Sequence, residues 1–155
     1  PAPGGGGVIA AVWGAWLNNK NHNVLVEASV KSPTAPHSLF LFTGASLKPV
    51  ALAGKPLPDG VNLKSVDGGV SAGNDAGQHV FLVTRSDSST AAYLADEHGA
   101  VSLLLKSTTS TDPGAVARVG EASTFGAAIN NKGQVALVLR YAGARSSVLV
   151  LMTPQ

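Results

Sequence analysis

Short runs of apolar residues separated by Gly, Pro, Asn and Ser define this chain, and the runs are too short and too interrupted for helices. From Val135 to Tyr141 the pattern alternates, with Val135, Leu137 and Leu139 on one face and Arg140 on the other. That two-residue period belongs to a strand with one buried face. Val24–Val30 and Val80–Arg85 are also predicted as first strands, with second strands at Leu39–Phe42, Ala92–Ala95 and Val148–Met152. Third strands are predicted at Leu47–Ala53 and Ala100–Lys106, and weaker fourth strands at Val61–Val66 and Ala115–Val119. Polar loops join them: Lys31–Ser38, Ser86–Thr90 and Gly143–Ser147, with Pro/Gly turns at Pro56–Gly60 and Thr111–Gly114. The expected class is all-β, built from antiparallel four-stranded units.

The units repeat. Leu17-Asn18-Asn19-Lys20-Asn21, Gly73-Asn74-Asp75-Ala76-Gly77 and Ile129-Asn130-Asn131-Lys132-Gly133 each precede a strand. The leading asparagines are spaced evenly, 74 − 18 = 56 and 130 − 74 = 56. Asn21, Gly77 and Gly133 are residue types that tolerate positive φ, so each copy reads as a tight turn feeding a strand. The structural turn residues are therefore Asn18, Asn74, Gly77, Asn130 and Gly133. Each asparagine is expected to bond its own turn backbone as an Asx-type turn; a repeated ligand position is the other reading.

The motif resembles a bacterial tandem-repeat family named for its Asn-x-x-Gly-x-x-Ala-Phe signature. The matching residues are Asn130, Gly133, Ala136 and Leu137; Asn74, Gly77, Val80 and Phe81; and Asn18, Asn21, Val24 and Leu25. Val50–Gly60 looks like the segment that follows the third strand of such repeats. The resemblance implies propeller-like blades and an extracellular or cell-surface setting, with no catalytic residues. A pseudo-threefold β-trefoil or β-prism is the alternative architecture, since three units of this size would close in one chain.

Composition narrows the function classes. The 155 residues suit one domain or a short repeat array, and charged residues are only 13% against 45% hydrophobic. The 11 basic residues are scattered singly, without the clustered stripe and interleaved aromatics of a nucleic-acid surface. The absence of cysteine excludes disulfides and thiolate metal sites. His22, His37, His79 and His98 have no metal-ligand spacing, and neither a nucleophile elbow nor a phosphate-binding loop is present. The turn carboxylates follow no calcium-loop spacing. No catalytic residue, cofactor or metal ligand is assigned.

Pro1–Gly7 reads as a flexible leader ahead of a single repeat domain over 8–155, and a start at Pro rather than Met suggests a mature product or excised fragment. Val8–Leu17 (VIAAVWGAWL) is ten apolar residues, too short to span a bilayer. Its Val8–Trp13 portion is expected to be a strand without a unit of its own, while the third copy stops at its second strand. The candidate interface is therefore Val8, Ile9, Val12, Trp13 and Trp16, through which the chain either completes its own third unit or a neighbour's. The two tryptophans fill the core in the plain reading; otherwise they stack on sugar or anchor a partner. The functional expectation is a non-catalytic structural or interaction module that self-associates through sheet edges, as a surface or filament subunit. A carbohydrate-binding module comes second and an enzyme third.

Overall fold

The computed structural model describes residues 7–18, 22–112, 114–120 and 127–153, without the side chains of 67–71. The fold is all-β and antiparallel, and the described residues contain no helix. The first sheet runs β1 (Ile9–Leu17), β2 (Val24–Val30), β3 (His37–Phe42) and β4 (Leu47–Ala51) in spatial order. The second repeats this with β5 (Leu63–Gly73), β6 (His79–Arg85), β7 (Thr90–Ala95) and β8 (Val101–Lys106). In the third, β9 (Val116–Val119) and β10 (Ala127–Ile129) pair along one edge of β11 (Val135–Tyr141), and β12 (Val148–Met152) pairs along the other.

This partition corrects the expected one. The strands expected as weak fourth strands open the next sheet instead, because the Asn turn joins the strand before it to the strand after it as a hairpin. The N-terminal segment is likewise no orphan. β1 pairs with β2 along its length, so it belongs to the first sheet rather than completing the third. Sequence patterning also made these first strands too short, since Gly14, Gly68 and Gly69 look like strand breakers.

The three first strands carry an insertion at one shared place. Val12, Val66 and Val119 pair with Ala28, Val83 and Leu139; pairing resumes at Gly14, Ser71 and Ala127 opposite Glu27, Phe81 and Leu137. The register skips Trp13 in the first strand and 67–70 in the second, while in the third the interval includes residues outside the described ones. Such bulges bend a strand and re-aim its side chains.

The first turn differs from the other two. Asn18 N–H reaches Asn23 O, whereas Asn74 and Asn130 N–H reach Gln78 O and Gln134 O, so the first turn is one residue longer. The left-handed residue there is His22 at φ 57°, matching Gly77 at 81° and Gly133 at 76°. The expected position, Asn21, lies outside the described residues. The extra residue moves the register: Leu25, Val80 and Ala136 are equivalent, as are Val26, Phe81 and Leu137. A one-residue slip exchanges the two faces of a strand, so the expected match of Leu25 with Phe81 put Leu25 on the wrong face.

No strand of one sheet pairs with a strand of another among the described residues, which departs from the shared barrel of a trefoil. β5 packs beside both β1 and β10, and the sheet faces close two cores. Leu25 and Leu39 of the first sheet meet Phe81, Val83 and Tyr93 of the second. Val80, Leu82 and Ala92 of the second meet Val135, Leu137 and Leu139 of the third.

Candidate functional site

The repeated asparagines brace their own turns and link one turn to the next, and Asn74 does both. Asn74 Oδ1 accepts the Gln78 N–H at 3.0 Å, and Asn130 Oδ1 accepts those of Lys132 and Gln134 at 2.9 and 3.0 Å. These are the expected Asx-type turns. Their amide groups also link the units. Asn18 Nδ2 donates to Asn74 O, and Asn74 Nδ2 donates to Asn130 O at 3.0 Å. Asn131 and Asp75 reinforce the second step, with Asn131 Oδ1 accepting the Asp75 N–H at 3.0 Å and Asn131 Nδ2 donating to Asp75 Oδ2 at 2.7 Å. The result is a one-way ladder from turn to turn. Even spacing signalled it, but single-turn reasoning did not.

Of the expected interface residues, Val12 and Trp13 are 59% and 55% exposed, Val8 is exposed, and Ile9 and Trp16 are partly covered. The bulge at Trp13 separates the two tryptophans' roles. Trp16 packs on the core between the first two sheets. Trp13 stands outward, its indole N–H donating to Ser29 Oγ at 2.8 Å and its ring stacked on His37 with centroids 4.9 Å apart. His37 Nδ1 in turn lies 2.5 Å from Oε1 of Glu27, which is fully buried. Glu27 Oε2 has no hydrogen-bond partner among the described residues. An exposed aromatic face fixed by a hydrogen bond and a stack is a rigid platform for an apolar or sugar surface.

A second polar cluster lies between the first two sheets. Asp59, in the connector from β4 to β5, receives the Tyr93 hydroxyl at 2.9 Å and faces Arg85 Nη2 at 2.8 Å. Arg85 and Tyr93 are both buried. Burial first, then the hydrogen bond to Asp59, raises the Tyr93 phenol above its ordinary pKa. This cluster ties the connector to the second sheet and presents no open reacting atom. His79 is also fully buried, with neither ring nitrogen hydrogen-bonded among the described residues, and burial lowers its pKa. The histidines do not converge: His37 lies on β3, His79 on β6, and His22 and His98 in separate turns.

Two sheet faces expose apolar residues. On the third sheet Leu149 and Leu151 are 64% and 65% exposed beside Val138 and Ala136. On the first sheet, the face carrying buried Ala28 and Phe40 also exposes Val12, Leu17 and Phe42. Of these residues only Val12 was anticipated as part of an interface, because uniformly apolar runs such as Val148–Met152 mark a strand without saying which face is covered. Among the described residues no helix is long and apolar enough to cross a membrane. Comparison with protein-family models, curated proteins and solved structures finds no match to this chain.

Proposed function

We propose that this chain is a non-catalytic structural or interaction module of the cell exterior that self-associates, with the exposed apolar residues of its outer sheet faces rather than the sheet edges as its contact surfaces. The observation that carries this reading is the pair of exposed apolar faces on the first and third sheets. Isolated exposed apolar residues are ordinary on a protein surface, whereas contiguous patches mark interaction sites. The side-by-side first strands and the Asn ladder support a propeller-like arrangement of blades, as does the resemblance of the Asn-led motif to the bacterial repeat family. The extracellular setting rests on that resemblance. Light scattering over a concentration series tests self-association directly. The expected result is a mass rising above the 15.6 kDa of one chain, and a monomer at every concentration would overturn it.

Carbohydrate binding is the second reading, favoured by the exposed and immobilised Trp13 ring. Repeat proteins often place their insertions on a binding surface, and Trp13 is the first strand's insertion. A glycan array separates the two readings: binding by the wild type that Trp13→Ala abolishes would favour sugar recognition.

A further inference from the structure

We infer that a second copy of this chain docks head to tail, the outer face of the third sheet of one copy covering the outer face of the first sheet of the next. The inference rests on the self-association reading and specifies the surfaces and their polarity.

The register makes the two outer faces counterparts of faces already in contact. Val12, Val66 and Val119 occupy one position of the first strands; Val66 and Val119 are buried by the preceding sheet, while Val12 is exposed. Phe42 pairs with Val24 as Ala95 pairs with His79, yet Ala95 is buried and Phe42 is exposed. Phe40 stands where Tyr93 stands, and both are fully buried. The first sheet therefore exposes Val12 and Phe42 on its receiving face, at positions whose counterparts the second sheet turns to the first, around a centre of Ala28 and Phe40 that is buried within the chain.

The third sheet shows the opposite, donating face. Leu39, Ala92 and Leu149 are equivalent through their partners Glu27, Leu82 and Val138, and only Leu149 is exposed. Leu41, Leu94 and Leu151 follow in the same way from Leu25, Val80 and Ala136. Each inner junction sets a donating face against a receiving face, and the one pairing that repeats this between copies is third sheet on first. Face-to-face pairing of like surfaces would not reproduce it.

The ladder has the same direction. Asn74 Nδ2 bridges Gln78 Oε1 at 2.9 Å and Asn130 O at 3.0 Å. Asn130 repeats the local half, its Nδ2 reaching Gln134 Oε1 at 2.8 Å. A docked first turn would supply the other half through Asn18 O. Such heterologous contacts build rings or filaments rather than twofold dimers.

Complementary blocking variants test the polarity. Leu149→Lys/Leu151→Lys removes the donating face, and Val12→Lys/Phe42→Lys removes the receiving face; all four side chains are exposed, and circular dichroism checks each fold. Leu17→Lys replaces Val12→Lys should that pair misfold. By light scattering, the wild type should form multimers and each variant alone should be a monomer. An equal mixture should yield a species of twice the chain mass and nothing larger. A variant that still self-associates, or a mixture that stays monomeric while the wild type associates, would overturn the head-to-tail assignment alone. A monomeric wild type would overturn the self-association reading with it.

Discussion

The two inner junctions occupy equivalent places in the repeat and are filled with different chemistry. Between the second and third sheets the core is Val80, Leu82, Ala92, Val135, Leu137 and Leu139, all apolar. Between the first and second it holds Phe81, Val83 and Tyr93, but also Arg85, Glu27 and His79. Register matches Arg85 to Tyr141 and His79 to Val135, so the polar residues are substitutions at shared positions. The connector explains the first of them. Its Leu57 and Asp59 enter that junction, and a buried guanidinium is tolerable only with such a carboxylate beside it. A shared backbone thus carries an apolar junction and a charged one, and only the charged one depends on a specific partner.

The largest expected effect breaks that dependence. Asp59→Ala leaves the Tyr93 hydroxyl without its acceptor and Arg85 with only the more distant, exposed Asp87 carboxylate at 3.6 Å, and should cost about 3–5 kcal/mol in denaturant unfolding. Adding Arg85→Met should restore much of the loss, since the site then resembles its apolar counterpart. A single-mutant cost below about 1 kcal/mol would place the pair effectively in water.

A smaller effect concerns the turns. Gly133 sits at φ 76°, where a β-branched residue is disfavoured, so Gly133→Val should lose roughly 1–3 kcal/mol while Lys132→Val loses little. Equal melting temperatures for the two would remove the left-handed turn from the account of the repeat. The first turn carries this strain already, at His22.

The smallest effect at neutral pH sharpens the comparison at one position. His79 is held below its ordinary pKa by burial, so the folded protein prefers the neutral ring. The unfolded chain takes up the proton as pH falls through about 6.5. Stability from this group is therefore full above that pH and declines as pH falls toward the folded value. His79→Val, which copies Val135, should flatten the acid side of the stability profile. An unchanged pH slope would show that His79 is not the titrating group.

Much of the fold was legible locally. Alternation marks β11 because a half-buried strand has a period of two, and β6 is marked by a continuous apolar run that is buried on both faces. The 56-residue spacing marks the turns because an Asn and a left-handed residue meet the same backbone need each time. Three matters were decided by the tertiary structure. Which sheet a strand joins is a non-local pairing, and nothing in Leu63–Val66 says whether it closes one unit or opens the next. Which face a strand buries is a question of parity. One extra residue between Asn18 and Asn23 reverses it, and a run of Asn, Lys and His tolerates either length without a mark. The turn-to-turn ladder and the Arg85–Asp59 pair need groups from different units brought within hydrogen-bond reach. The sequence determined the strands and turns because those preferences are short-range. Only the packed sheets decided the partners, because long-range contacts depend on where every intervening residue has gone.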